Sequence, residues 1–195
     1  MPHNLSRKIM GLGGFLFFLP GMGLGVRAPA PPEPESFEDE AATPSERVSE
    51  LLAAIQREAA LVSRHAARLE SLGRNSEISW RSHAEQLNLV KLHINNVGVR
   101  TDELQALHDQ APPWQQLAIT EVTSHALAVA GNTQAAMDHL NDNHQRLFLP
   151  EYRDRLASIA DHSADLKQSL DKFLDYEKTR QKFQQLQSEL EVTDG

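Results

Sequence analysis

The sequence predicts an all-α protein: an up-down-up-down antiparallel four-helix bundle with a long C-terminal helix, preceded by a signal segment and a Pro-rich linker. Two observations lead to this prediction. Four consecutive segments carry apolar residues at alternating three- and four-residue spacing, and turn-forming residues separate those segments. A seven-residue apolar repeat keeps one face of each helix toward its neighbours, and short links between long helices make successive helices antiparallel.

The apolar stripes predict which side chains form the core. The first stripe consists of Val48, Leu52, Ile55, Ala59, Val62, Ala66 and Leu69, and the second of Trp80, His83, Leu87, Val90, Ile94, Val97, Thr101, Leu104 and His108. The third consists of Ile119, Val122, Ala126, Val129, Thr133, Ala136, Leu140 and Leu147, and the fourth of Tyr152, Leu156, Ile159, Ser163, Leu166, Leu170 and Phe173.

Capping and turn residues predict the helix ends. Thr43 is the expected N-cap of the first helix, with Glu46 completing a capping box, and Gly73 is the expected C-terminal cap. Pro113 and Pro150 fit the first turns of the third and fourth helices, where a missing N–H is tolerated. The expected helices are residues 44–73, 76–109, 113–146 and 150–190.

The N-terminus has the pattern of an export signal. Arg7 and Lys8 precede an uncharged apolar run over residues 9–19, and small residues follow as far as Ala28. This pattern predicts a signal peptide over residues 1–28. The alternative is an uncleaved anchor, because residues 9–26 form 18 uncharged positions, at the short end of a membrane span.

Composition indicates the role of each remaining segment and limits the classes of partner that the protein could bind. Residues 29–43 are rich in proline and acidic side chains and predict a linker, residues 44–190 form the bundle, and residues 191–195 are an expected disordered tail. The net charge of −8 argues against nucleic acid as a partner, and we expect membrane contact only through an uncleaved N-terminal segment. The absence of cysteine excludes disulfides, thiol nucleophiles and Cys-bound zinc.

The histidines raise the alternative of a metal or haem site inside the bundle. Counted from the predicted turns, His65, His83 and His139 lie at a similar height, which makes them the candidate ligands. However, antiparallel packing points His65 toward helix two and His139 toward helix four, leaving only His83 central. The sequence also lacks the Glu-x-x-His spacing of di-iron bundles and the one-turn His-x-x-x-His pair. We therefore favour histidines that reach water at the helix boundaries, and no cofactor.

The fourth helix is predicted to be longer than the other three. Its stripe turns polar near Glu177 and resumes in a shifted phase at Tyr176, Phe183, Leu186 and Leu190. Large apolar side chains left in water forgo about 1.5–3 kcal/mol each, so another surface should cover them. We expect these four residues to bind a partner or a second copy of the chain.

The predicted function is that of an exported, periplasmic or secreted protein without enzymatic activity. It would act by binding an envelope protein or by self-association, since the sequence lacks a Gly-rich turn that would expose a nucleophile. One alternative is a bundle that binds a transition metal or haem through its interior histidines. A third possibility, a periplasmic chaperone-like or sensory module, rests on architecture alone.

Overall fold

The computed structural model describes residues 42–75 and 77–193, and these form helices without any β-strand. The elements are α1 (Pro44–Gly73), α2 (Trp80–Leu107), a short 3₁₀ turn (His108–Gln110), α3 (Pro113–Asp142) and α4 (Pro150–Thr193). The predicted all-α class and its four helices are thus confirmed. The predicted signal segment and residues 29–41 of the linker lie outside the described residues. Among the described residues, none of the helices contains an apolar stretch of the length that a membrane span requires.

The four helices pack in a closed ring, in which α1 contacts α2 and α4, and α3 contacts α2 and α4. Side-chain contacts between α1 and α2 give their relative direction. His93 lies 2.8 Å from Glu58, and Gln86 lies 3.1 Å from His65, so a seven-residue step forward on α1 matches a seven-residue step back on α2. The two helices therefore run antiparallel, and contacts between α3 and α4 follow the same pattern.

The predicted stripes form the core. Every residue of the first stripe is fully buried, as are most residues of the other three. Four stripe residues near the two ends of the bundle differ. Trp80, the first residue of α2, is 41% exposed, and His108, Leu147 and Phe173 are only partly buried. At these four positions the bundle covers its apolar stripe less completely than in its middle.

The start of α1 follows the prediction, and the start of α2 does not. The Thr43 side chain accepts a hydrogen bond from the backbone N–H of Glu46, whose carboxylate accepts one from the N–H of Thr43. Helix α2 begins at Trp80 rather than at residue 76, with Ser79 as its N-cap. Asn75 caps a turn instead, because its side-chain oxygen accepts a hydrogen bond from the N–H of Glu77.

Helix α3 ends four residues before its predicted end, at Asp142, where Asn143 leaves the helical conformation with φ −138° and ψ 43°. Short polar side chains compete for backbone hydrogen bonds and favour helix ends, which explains this stop at the Asn141–Asn143 segment. Helix α4 continues to Thr193, so the first part of the predicted disordered tail is helical. With 44 residues, α4 exceeds the 28 to 30 residues of the other helices.

Candidate functional site

Six histidines lie in three groups where helices meet. The first group, at the end of the bundle that holds the 74–79 and 143–149 connections, contains two histidines that contact one tyrosine. The other two groups are histidine pairs, one between α1 and α2 and one between α3 and α4. The members are His83 and His139 with Tyr152, then His65 with His93, then His125 with His162.

The Tyr152 group is buried and hydrogen-bonded. His83 is 1% exposed and Tyr152 is fully buried, and a 3.1 Å hydrogen bond joins the His83 Nδ1 to the Tyr152 hydroxyl. The His139 ring stacks on Tyr152 with 5.1 Å between the centroids. Burial lowers the pKa of His83 and raises the pKa of Tyr152, because each charged form would lose its water. The side chains of His83 and Tyr152 are therefore both neutral at pH 7. Together with His139, they link α2, α3 and α4.

A cavity of about 230 Å³ opens beside this group, between the two connections. Its lining includes Ile78 and Arg74 from one connection, Phe148 from the other, and His83. His83 forms part of the cavity wall, and the Nδ1 of that histidine is already hydrogen-bonded to Tyr152.

The histidine pair between α1 and α2 has polar partners on both rings. The rings of His65 and His93 stack with 5.7 Å between centroids and 4° between planes. The His65 Nδ1 contacts Gln86 at 3.1 Å, and the His93 Nδ1 contacts Glu58 at 2.8 Å. Burial alone would raise the pKa of Glu58, but hydrogen bonds from His93 and Asn96 outweigh it and lower that pKa.

The pair between α3 and α4 is arranged differently. The rings of His125 and His162 are tilted by 43° with 6.1 Å between centroids, and Asp165 lies beside them. One potential ligand atom from each of the three residues lies within 4.8 Å of the other two. The Nδ1 of His162 is buried and has no hydrogen-bond partner. A buried polar atom in that state typically costs about 1–3 kcal/mol unless something else satisfies it.

The three histidines selected from the sequence do not form one site. His83 and His139 both contact Tyr152, whereas His65 lies against α2 at Gln86 and His93. In the part of the chain that the structure describes, a single group of three metal-ligating residues has its ligand atoms close together. That group is His125, His162 and Asp165.

Sequence reasoning missed this group, although two signals for it were present. His162 and Asp165 are three residues apart, a spacing that places both side chains on one face of α4. His125 occupies the stripe-flanking position of α3 that packs toward α4. The group carries neither the Glu-x-x-His spacing nor the His-x-x-x-His spacing, and its signal on α4 is the less specific His-x-x-Asp spacing.

The four predicted partner-binding residues lie on the last third of α4. Tyr176 is 51% exposed and its ring lies 5.3 Å from the ring of Trp114 on α3, so it partly packs on its own bundle. Phe183, Leu186 and Leu190 are 67%, 49% and 69% exposed. Every residue from 181 to 191 is exposed. We call residues 181–193 the overhang, since α4 there extends past the other helices.

The overhang begins where α4 makes its last contacts with the bundle. The Ser49 hydroxyl of α1 donates a hydrogen bond to Glu177, which is 9% exposed. The guanidinium of Arg180 lies 5.5 Å from the Trp114 ring centroid, in cation–π geometry. The sequence matches no protein-family model and no curated protein, and the structure matches no solved structure.

Proposed function

We propose that this protein is an exported, non-enzymatic up-down-up-down bundle that self-associates in the cell envelope through its overhang. The observation that carries the proposal is the exposed apolar stripe of Phe183, Leu186 and Leu190 on a helix that has outrun its neighbours. The export part rests on the charged and apolar pattern of residues 1–28.

The stripe has the spacing of a helix-pairing seam. Its members recur at three and then four residues, and Thr179 precedes them at the same periodicity. Burying the three apolar side chains would gain up to about 1.5–3 kcal/mol each, before the entropy of association is subtracted. A helix laid along this face is therefore the partner that the stripe fits best.

Charge favours a second copy of the same segment as that helix. Lys178 and Lys182 lie before or at the start of the stripe, and Glu189 and Glu191 lie at its end. In an antiparallel pair of overhangs, Lys182 of one copy, with Lys178 just before the overhang, lies beside the acidic end of the other copy. A parallel pair would place like charges together. The segment is therefore self-complementary about a two-fold axis, as isologous dimer interfaces require.

The self-association test compares the full chain with a chain that ends at Gln181, which keeps the contacts of Glu177 and Arg180. Analytical ultracentrifugation over a wide concentration range should give a dimer for the full chain and a monomer for the shortened one. Circular dichroism should show both to be folded, since the described core ends at Leu174 and Glu177.

A matched pair of triple variants separates the stripe from the overhang as a whole. Replacing Phe183, Leu186 and Leu190 with serine should abolish the dimer. Replacing Gln184, Gln185 and Gln187 with serine changes the same number of exposed positions on the same segment and should leave the dimer intact.

Charge reversal tests the antiparallel arrangement. Lys178→Glu with Lys182→Glu should weaken the dimer, and adding Glu189→Lys with Glu191→Lys should restore it. A full chain that stays monomeric at every concentration would refute self-association. Covering of the stripe by a different envelope protein, or by residues 1–41, would then be the remaining outcome.

The alternative of a metal or haem site at His83 gains no support from the geometry. The Nδ1 of His83 is hydrogen-bonded to Tyr152, and His65 lies in a different group. A metal site has better support at the α3–α4 contact.

A further inference from the structure

We propose that His125, His162 and Asp165 form a binding site for a divalent transition-metal ion of the Zn²⁺ type, held between α3 and α4. The site lies outside the overhang and is independent of the self-association proposal. Two imidazoles and a carboxylate are a ligand set that Zn²⁺ accepts, and three protein ligands leave a fourth position for water or another ligand.

The spacing of the ligand atoms is close to what such an ion needs. Metal–ligand distances near 2.0–2.2 Å place the ligands of a tetrahedral site roughly 3.3–3.6 Å apart. The potential ligand atoms here lie within 4.8 Å of one another. Side-chain rotations can close this difference, because Asp165 is exposed and both histidines are only partly buried.

The backbone already holds the three residues in register. His162 and Asp165 share one face of α4, at i and i+3. Arg155 of α4 donates a hydrogen bond to Asn132 of α3. His125 lies seven residues before Asn132 on α3, and His162 lies seven residues after Arg155 on α4. The histidine pair therefore belongs to the same antiparallel register as that hydrogen bond, one heptad earlier on α3 and one heptad later on α4.

The two histidine pairs of the bundle differ in a way that points to a ligand. In the α1–α2 pair, the Nδ1 atoms of His65 and His93 are taken by Gln86 and Glu58. In the α3–α4 pair, the Nδ1 of His162 is buried without a partner. No hydrogen bond at Nδ1 fixes the orientation of the His162 ring. A metal ion bound to His162 would fix it. It would also join α3 to α4.

The test is titration of the purified chain with ZnCl₂ alone, followed by calorimetry. The wild-type chain should bind one Zn²⁺ per chain with a Kd below about 10 μM. Loss of a residue that only supports a metal ligand lowers metal affinity roughly 10–100-fold. Loss of a ligand itself should weaken Zn²⁺ binding by at least as much, and this is the expected result for each of the variants His125→Gln, His162→Gln and Asp165→Asn. Co²⁺ in place of Zn²⁺ should give visible absorption bands in the wild-type chain that the variants lose.

The matched controls are His65→Gln and His139→Gln, which change partly buried histidines in the other two groups. Both should bind Zn²⁺ like the wild type. Circular dichroism should show that all five variants are folded, and Zn²⁺ should raise the Tm of only those chains that bind it. Binding weaker than about 10 μM in the wild type, or unchanged binding in His162→Gln, would overturn the proposal. Loss of binding in His139→Gln alone would place the site at the Tyr152 group and overturn it equally.

Discussion

The two parts of α4 carry the same kind of apolar stripe and meet opposite surroundings. In the packed part, residues 150–174, Leu156, Leu166 and Leu170 are at most 1% exposed. In the overhang, Leu186 and Leu190 are 49% and 69% exposed. The helix is continuous through both parts. An apolar stripe therefore specifies which face needs a partner, whereas the lengths of the neighbouring helices decide whether the chain itself supplies one.

The change between the two parts is visible in the residues at their junction. The face of α4 that packs on the bundle continues from Leu170 through Leu174 to Glu177, where it becomes polar. The apolar residues meanwhile move to another face, starting at Tyr176. This is the phase shift expected from the sequence, and it directs the overhang stripe away from the core.

Truncating one leucine in each part should give the largest difference. Leu166→Ala removes a fully buried side chain and should lower the free energy of unfolding by roughly 2–5 kcal/mol. Leu186→Ala should change it by about 0.5 kcal/mol or less at low protein concentration, because an exposed side chain leaves no cavity. Urea denaturation of both variants measures this directly. Equal losses would mean that the overhang is packed within the monomer.

The two tyrosines of α4 offer a finer comparison. Tyr152→Phe removes the hydroxyl that is bonded to the buried His83 and should lower the free energy of unfolding by about 1–3 kcal/mol, since the His83 Nδ1 loses its partner. Tyr176→Phe removes a hydroxyl from a half-exposed ring and should have almost no effect. Thermal denaturation distinguishes the two. A neutral Tyr152→Phe would show that water replaces the lost bond.

The smallest expected effect is the contribution of Asp171, in the packed part, to the pH dependence of stability. Hydrogen bonds from Lys167 and Gln56 hold the pKa of Asp171 below its usual value. A lowered folded-state pKa stabilises the protein above the unfolded pKa of about 3.9, and this stabilisation disappears as the pH falls through the folded-state pKa.

Asp171→Asn should therefore lower the free energy of unfolding at pH 7 by about 0.5 kcal/mol or less, given the exposure of the pair. The difference from wild type should vanish in strong acid. The control is Asp175→Asn. The Asp175 side chain is 77% exposed and its carboxylate lies 3.6 Å from the Lys178 ammonium, so this variant should have a smaller effect. Urea midpoints at pH 7 and in strong acid measure both variants. A difference that persists in acid would assign the Asp171 effect to packing rather than charge.

The helices were predictable because their information is local. Each stripe reports its own buried face, and Thr43 with Glu46 marks the start of α1 by a contact within one turn. The end of α3 was harder to predict from the sequence. Leu147 continues the apolar spacing and Pro150 marks the start of the next helix, which together predict a third helix as far as residue 146, whereas the polar residues 141–143 end it at Asp142.

The candidate metal group could be predicted only in part, because the sequence shows that His162 and Asp165 share a face of α4, whereas the residue opposite them on α3 depends on the register between the two helices. Moving the end of α3 by four residues shifts every α3 position against α4 by more than one turn. With the longer helix, His125 would face a later part of α4 than His162. The partner of a residue across a helix pair is thus set by the connection between the helices. A small error there displaces every cross-helix pair together.

The chain enters the bundle at the same end from which the overhang leaves it. Ala42 and Thr43 line one surface depression together with Gln181 and Gln184 of α4. If residues 1–28 hold the chain at a membrane, which is one of the two fates their sequence allows, attachment would confine the overhangs of neighbouring copies to a thin layer. Confinement raises effective concentration without any new contact. A helix pair too weak to form at the average concentration in solution could then form at the surface, making attachment itself the switch for assembly.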